Sequence, residues 1–400
     1  MAESNVLTNY LKEIEGDIQN LVPDVAILQK LAKFNEAQKT GEYYVVPTQL
    51  AGEHGFSAGT GAFTLNAAIA HSSGQAQISG KSLLLRSLIS YEDAARAASS
   101  KQAFAAWNSG KVIPMLSSFR KRVESVSLYG GSGLGQVASV TGTGPWVVTF
   151  TAASFAPGIW VGAENASVDI YSAVTAGTQR NTGALTITAV DTDAKTITVA
   201  GTASGIATND HVFWFGMRGN EMVGLDKQLS NTGSLFNIDA ASYSLWRPNT
   251  SAVAGSLTLG AILAAAAKCV NKGLDEAVTV LIPNKSFTSL ANVEAGLRKY
   301  DASFKSSEFV NGAEAIKFHS NNGVIEVVPH PMVKEGEAFM VPHKQLSRIG
   351  ATDVTMKMPG QGDELVLQSQ TAAAYEMRAY TEQQLFLKTP GKACKLTGIS

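Results

Sequence analysis

The sequence of 400 residues predicts an α+β protein that carries an inserted all-β domain, and three features predict it. A run of four glycines in six positions, within SLYGGSGLGQV from Ser127 to Val137, closes an amphipathic helix. Beyond it the texture changes to Thr- and Val-rich alternating segments, WVVTFT, GALTITAV, KTITVAG and DHVFWF, which read as half-buried strands. From Ser256 onward helical and strand patterns mix again.

In chain order, Val6, Leu7, Tyr10, Leu11, Ile14, Ile18 and Leu21 recur at three- and four-residue spacing, which predicts an amphipathic helix ending before Pro23. A second short helix is expected over 25–37. Such an arm has nothing of its own to pack on, so it must lie on a partner or a later domain. Between Ala51 and Leu85 the only formal charges are Glu53 and Lys81, and FTLNAAIA and QAQISGKSLLLRS read as extended segments around the turn HSSGQ. This is a long hairpin with too little apolar surface to fold alone. Ser90 and Asp93 cap an Ala-rich helix that runs to about Trp107, and Asn108, Ser109 and Gly110 interrupt it. A stronger helix follows, with Ile113, Leu116, Phe119, Val123 and Val126 as its apolar stripe and Arg120, Lys121 and Arg122 turned away.

The inserted β-stretch holds six charged residues from Gln136 to Asn209, and LTITAVDTDAKTITVAG is a hairpin within it. It is left near GMRGNEMVG. Then SLTLGAILAAAAKCVNKG reads as a buried helix closed by Gly273, EAVTVLIP as a buried strand and NKSFTSLANVEAGLRKY as a helix capped by Asn284. In AIKFHSNNGVIEVVPHP the pair Asn322-Gly323 supplies a type I′ hairpin turn. EAFMVPH, DELVLQSQT and AAAYEMRAYTEQQLFLKTPGKACKLTGI add late strands that must return to an earlier sheet.

Charged residues make up 16% of the chain against roughly 25% in typical soluble domains, which leaves much of the surface neutral. The 32 basic and 33 acidic residues nearly cancel, so no basic stripe supplies the phosphate neutralisation of a dedicated DNA-binding module. Cys269 and Cys394 cannot form a disulfide framework and read as inert core thiols of a protein from a reducing compartment. Glu3, Lys12, Glu13 and Glu15 break up any signal peptide, and LTLGAILAAAA stops at Lys268, about half of the roughly 20 residues a bilayer needs. A soluble chain without a membrane partner is expected, and its start at Met1 carries the expectation that no propeptide has been removed.

The chemical motifs fail one by one. A dinucleotide fingerprint beginning at Gly131 and Gly133 would need a third glycine where Gln136 stands, and it follows a helix instead of a strand. Gly130, Gly131, Gly133 and Gly135 therefore read as a hinge between helix and β-insertion. GFSAG matches the G-x-S-x-G elbow around Ser57, but neither a buried strand before it nor a helix after it is expected. His54, His71, His211, His319, His330 and His343 show no metal-ligand spacing. His330, between Pro329 and Pro331, reads as a turn residue, and the pairs Asp191/Asp193 and Glu335/Glu337 read as solvated turns. Arg120, Lys121 and Arg122 form a solvated face or touch an acidic or nucleic-acid neighbour. No catalytic residue, cofactor or metal is expected.

The order of these pieces resembles the major capsid proteins of tailed bacteriophages with the Hong Kong 97-type fold. The likeness spans essentially the whole chain and rests most on SFRKRVESVSLYGGSGLGQV, VTVLIPNKSFTSLANV and GVIEVVPHPMVKEGEAFMVP. It implies an N-terminal arm over 1–46, an E-loop hairpin over 47–89 and a P-domain over 90–135 whose spine helix runs from Lys111 to Leu128. The inserted β-domain then covers 136–215, a return to the P-domain 216–255, the A-domain 256–350, and strands returning to the A- and P-domains 351–400. The resemblance further implies hexamers and pentamers of the chain closing into an icosahedral virion shell around double-stranded DNA that is contacted non-specifically. Assembly would take place in the bacterial host cytoplasm with a scaffolding protein and a portal, and a decoration protein would be a further partner. Assembly contacts are expected at Glu53, Phe56, Phe63, Lys81, Arg86, Arg120 and Arg122. Lys81 lies away from the hairpin tip, so no inter-subunit cross-link through it is expected. Two other readings stand beside this one: a bacterial nanocompartment shell of the same fold enclosing enzyme cargo, and an enzyme with a β-rich accessory domain.

Overall fold

A computed structural model describes residues 26–36, 43–92, 95, 112–298, 316–320, 323–356, 367–369 and 372–400. The expected helix over 6–21 and nearly all of the Ala-rich helix ending near Trp107 lie outside the described residues.

A short helix α1 (Ile27–Leu31) leads into strand β1 (Lys33–Glu36), followed by β2 (Tyr44–Ala51), β3 (Ser72–Ile78), β4 (Lys81–Ser90) and the long helix α2 (Ile113–Tyr129). Next come β5 (Gly135–Thr141), β6 (Trp146–Phe150), the single turn α3 (Pro157–Trp160), β7 (Ser167–Tyr171), β8 (Asn181–Asp191), β9 (Thr196–Ala203) and β10 (His211–Trp214). After α4 (Leu225–Leu229) and the two-residue strands β11 (Ser234–Leu235) and β12 (Ile238–Asp239) stand β13 (Asn249–Gly255), α5 (Leu259–Val270), β14 (Val278–Ile282) and α6 (Asn284–Arg298). The remaining strands are β15 (Ile316–Ser320), β16 (Gly323–Pro329), β17 (Glu337–Pro342), β18 (Leu346–Thr355), β19 (Leu367–Gln368), β20 (Ala374–Leu387) and β21 (Cys394–Ile399).

Strands β5 to β10 close into an antiparallel barrel in the order β10-β5-β6-β9-β8-β7. Alternation explains its core: Leu185, Ile187, Ile197 and Val199 are buried at every second position of β8 and β9 while Thr neighbours face outward. Trp160 of α3 stacks on Phe150 at 4.8 Å between ring centroids and lies 5.7 Å from Trp214.

The second body is a six-stranded sheet in the order β13-β21-β17-β14-β16-β15. Its strand VTVLI is buried at all five positions, as a strand covered on both faces requires. Helix α5 covers it with Ile262, Ala265, Ala266 and Cys269, is capped by the Thr258 hydroxyl at the Ala261 N–H, and stops at Gly273 with φ +85°. Gly323 has φ +121° at the expected β15–β16 turn, whereas its partner Asn322 lies outside the described residues. A third sheet runs β1-β18-β20-β19, with β4 on the far side of β20 from Ser90↔Ala374 to Lys81↔Gln383.

Three expectations need correction here. The segment 25–37 is helical over Ile27–Leu31 only, because residues 33–36 gain ladder hydrogen bonds by pairing parallel with β18. QAQISGKSLLLRS is two strands, broken at Ser79-Gly80: β3 pairs with β2, while β4 belongs to β20. FTLNAAIA is not a strand, and HSSGQ is not the turn; the reversal occupies the irregular residues 52–71. It lies there because β3 finds its partner in YVVPTQLA, ahead of the tip, and FTLNAAIA is left with no strand to pair with.

Helix α2 is the common wall. From Val123 to Tyr129 every residue is buried, and its core contacts are continuous with those of the barrel and of β20. At its end the backbone of Gly130 crosses that of residues 222–224, with the Gly224 N–H donating to the Gly130 carbonyl at 2.8 Å. A Cβ on Gly130 would stand 2.0 Å from the Met222 carbonyl oxygen. Gly130→Ala is therefore expected to destabilise the chain by about 3 kcal/mol, while Gly52→Ala, where a Cβ meets nothing within 4 Å, changes stability by less than about 0.5 kcal/mol. Chemical denaturation of both variants checks this; equal midpoints would rule out the tight crossing.

Candidate assembly surface

The ribbon β2–β3 projects from the body on a small apolar base. Leu50, Ala76 and Ile78 pack on Ile238, Trp246, Ile349 and Phe386, and the Gln77 N–H donates to the Phe236 carbonyl. Beyond this base the tip over 52–71 has almost no internal support: the His54 N–H donates to Ile69 O, and Asn66 donates from its N–H to Ser57 Oγ and from Nδ2 to Phe56 O, both at 2.7 Å. Yet the tip holds Phe56, Leu65, Ile69 and Phe63 in solvent, at 79%, 75%, 55% and 45% exposure. Apolar side chains gathered on one unsupported segment mark a surface made to be covered. The sequence does not single out Leu65 and Ile69, because FTLNAAIA reads as one of two paired extended segments and not as an irregular tip.

The other expected contact residues divide. Glu53 lies in the tip, 3.5 Å from His71, and Lys81 and Arg120 are exposed. Arg86 is held within the chain by the buried carboxylate of Glu376 at 2.7 Å. The basic cluster is not turned away from the core. Lys121 is buried and donates to the Val161 carbonyl, burial and neighbouring Arg122 lowering its pKa to about 8. Arg122 lies over Trp214, 3.5 Å from the ring centroid, and burial lowers it to about 10. Both cations fasten α2 to the barrel, so a solvated face describes Arg120 alone.

The glycine run is a close-packed corner. Gly131 and Gly133 take φ +78° and +80°, which makes the turn out of the helix, and a Cβ on Gly135 would strike the Phe150 ring at 2.7 Å. The Gly131 N–H donates to Glu221 Oε1 at 2.8 Å, and Lys334 Nζ donates to the Gly133 carbonyl at 2.9 Å. Beneath the corner Lys395 bridges Asp226 and Glu337. Burial alone would push Asp226 up, but Lys395 and Lys334 beside it hold its carboxyl below the usual range. Burial pushes Glu337 up.

Glu335 and Glu337 are thus not solvated turn residues: Glu335 pairs with Lys195 at 2.5 Å, and Glu337 is inside the network. His330 does open the expected turn, its carbonyl accepting from the Val333 N–H at 3.1 Å, but its ring faces inward. Fully buried, it accepts the Met332 N–H at Nδ1 and meets Glu124 Oε1 through Nε2 at 2.9 Å. The same carboxylate accepts the N–H groups of Leu28 and Gln29 at 2.5 and 3.2 Å, which caps α1 from another element. Asp191 does serve its turn, accepting from the N–H groups of Asp193 and Ala194. Ser57 sits in the exposed tip, between no strand and helix that could make it an elbow. Among the described residues there is no group of three or more metal-ligating side chains and no helix long and apolar enough to cross a membrane.

No family model matches this sequence, and no curated protein matches it. Solved structures do. The cyanophage A-1(L) capsid asymmetric unit contains a chain that aligns over 99% of both partners with a TM-score of 0.58 at 11% identity. Subunits of the native and empty GTA particle capsids align over 100% of both chains, with TM-scores of 0.50 and 0.51 at 9% identity. The chain has a phage capsid fold. Such identity is the level at which fold persists after sequence has diverged, and the capsid fold here runs from one end of the aligned chains to the other.

One titration probes the corner of this capsid fold. Burial raises Glu221 from 4.5 to about 7, so between those values the folded chain binds a proton that the unfolded chain has released. Stability therefore falls as pH rises through that window, and the cost is complete above about 7. Glu221→Gln keeps the acceptor for Gly131 and removes the charge. Its melting temperature is expected to exceed that of the parent above pH 7 and to match it below pH 4.5; a difference independent of pH would refute the buried carboxylate.

Proposed function

We propose that the chain is the major capsid protein of a tailed phage, assembling as hexamers and pentamers into an icosahedral shell that encloses double-stranded DNA. The observation that carries this reading is the capsid fold matched over 99% of both chains, beyond what a shared domain would give. The bare apolar tip supports it, since a segment that cannot cover Phe56 or Leu65 itself fits one that lies across a neighbouring subunit.

In this reading the ribbon and its tip are the E-loop within 47–89, α2 is the spine helix of the P-domain, and the sheet around β14 with α5 and α6 belongs to the A-domain over 256–350. The barrel is an insertion over 136–215 that rides on the spine helix. Glu53, Phe56, Phe63, Lys81 and Arg120 are contact residues, joined by Leu65 and Ile69. Arg86 and Arg122, the other expected contact residues, also serve inside the subunit, Arg86 on Glu376 and Arg122 over Trp214. The near balance of 32 basic and 33 acidic residues suits a shell that contacts its DNA non-specifically and does not require strong sequence-independent affinity. Scaffolding protein, portal and a decoration protein are the expected partners in the host cytoplasm.

Electron microscopy of the purified chain, alone and co-expressed with a candidate scaffold, tests the proposal. Closed shells or rings of five and six subunits are expected, and nucleic acid against protein cargo inside them separates a virion from a nanocompartment. A monodisperse monomer under both conditions would overturn assembly as the function. Phe56→Asp combined with Leu65→Asp is expected to abolish shells while shifting the melting temperature by less than about 2 °C, because both side chains are already in solvent.

A further inference from the structure

Ser118, Lys121, Arg122 and Ser125 of α2 stand at steps of three and four, which puts them on one side of the helix. With Gly162 on the turn after α3 and Trp214 at the end of β10, they line a cavity of about 80 Å³ between helix and barrel. The cavity reaches solvent, since Ser118 and Gly162 are exposed and a Cβ on Gly162 would meet nothing within 4 Å. It has room for several waters, and so for a small polyatomic ion. Among the described residues its wall contains no acid.

The wall does contain two cations that lack a counter-charge. Lys121 is buried and uses one of its three ammonium donors on the Val161 carbonyl. Arg122 lies over Trp214, and among the described residues its guanidinium donates to no oxygen and pairs with no carboxylate. The carboxylate that acts on Lys121 is Glu164, which is exposed and forms no ion pair with it. Elsewhere the chain satisfies its buried charges from within, Glu124 through His330 and two backbone N–H groups, and Lys395 between Asp226 and Glu337. Two neighbouring cations drawn out of water without an anion are costly twice over, by desolvation and by mutual repulsion. Burial and the adjacent Arg122 accordingly hold Lys121 down at about 8, and burial holds Arg122 at about 10.

We propose that the cavity between α2 and the barrel binds a tetrahedral oxyanion of the phosphate class, held by Lys121, Arg122 and Ser118. The Trp214 ring holds the guanidinium plane, and Trp214 is itself fixed by its Nε1–H on Ser125 Oγ at 3.2 Å. The guanidinium fork suits two oxygens of one phosphate, and Lys121 adds a point charge. The Ser118 hydroxyl, without a partner among the described residues, is a third donor at the mouth. Three donor groups around one space use the oxygens of a tetrahedral anion more fully than the two of a carboxylate or the sphere of a halide. The bound anion neutralises both cations and braces α2 against the barrel. The site lies within one subunit, so it stands or falls separately from the capsid reading. A free phosphate ion and a phosphodiester of DNA offer the same chemistry.

The test titrates the full-length chain in chloride buffer with inorganic phosphate at constant ionic strength, followed by phosphorus NMR and by thermal melting. Saturable binding with a Kd of about 1 mM is expected, and at about 100 mM phosphate it raises the melting temperature by roughly 3 °C. Ser118→Asp sets a carboxylate in the mouth at an exposed position. It is expected to weaken phosphate by about tenfold or more and to raise the melting temperature in chloride, because it supplies the missing counter-charge. Arg122→Gln should also remove saturable binding, whereas Lys285→Gln, an exposed cation on α6 outside the cavity wall, should leave it unchanged. Duplex DNA added to the phosphate-loaded chain separates the sources. Displacement of phosphate assigns the site to the DNA backbone and retention assigns it to the free ion, and both sustain an oxyanion site. Phosphate also stabilises folded proteins generally, through exclusion from their surface. A stabilisation that persists unchanged in Ser118→Asp, an equal effect of chloride, or a phosphorus signal unaltered by the chain would each overturn the proposal. Because Ser118 is exposed, its variant keeps the test decisive even where Arg122→Gln fails to fold.

Discussion

The architecture depends on two backbones meeting with no side chain between them. At the end of α2 the chain leaves through Gly130, builds the closed barrel, and comes back through Met222 to Gly224 at the same point, where Gly224 N–H and Gly130 O bond at 2.8 Å. Both glycines are obligatory: a Cβ on Gly224 would lie 2.5 Å from the Gly130 nitrogen, as one on Gly130 would lie 2.0 Å from the Met222 oxygen. A barrel whose two ends are pinned at one crossing cannot swing freely about it. Lys121 at Val161, Arg122 over Trp214, and Trp214 Nε1 on Ser125 Oγ at 3.2 Å fix its orientation along the helix as well. Barrel and helix form one mechanical unit.

A second constraint is the buried carboxylate of Glu124. For a fully buried carboxylate the lack of partners would be costly, so its donors are structural necessities. They reach it from two distant places in the chain, the backbone of α1 and the ring of His330, and so bind both to the helix that carries it. Arg348 repeats the device nearby, donating to Ala32 O, Asp353 and Gln383 Oε1 and so tying β1 to β18 and β20. The described part of the N-terminal segment is thus fastened to the body by polar groups that satisfy one another, together with the apolar contacts of Leu28 and Ala32 and of the partly buried Ile27 and Leu31.

What the sequence discloses follows from this division. Elements whose pattern resides in their own residues are legible: the apolar face of LGAILAAAAKC, the unbroken VTVLI, the alternation in TITAVDTDAKTITV, and the end of α2 at Tyr129. Elements decided by a distant partner are not. Residues 33–36 become a strand because β18 is there, QAQIS and KSLLLRS separate because two different strands claim them, and His330 and Glu337 turn inward because Glu124 and Lys395 await them. The tip shows the same limit from the other side. Its exposed Phe56 and Leu65 are legible as apolar residues, but their lack of any internal partner is a property of the folded chain.

The tip also indicates what strength of contact the proposed shell would use. A two-stranded ribbon is marginal by itself, and this one is aimed by the small base around Trp246 and Phe386 while its tip keeps few internal hydrogen bonds. Four apolar side chains burying part of their area, at about 25 cal/mol per Å², make each contact modest before the cost of ordering the tip is subtracted. Such a contact is weak for a pair of subunits. Under closed symmetry it is repeated at every interface, and each added subunit makes the remaining contacts effectively intramolecular, so a complete shell is held far more tightly than any pair. A stronger tip would trap misplaced subunits during assembly, and the neutral, lightly charged surface of this chain would offer little long-range repulsion to remove them.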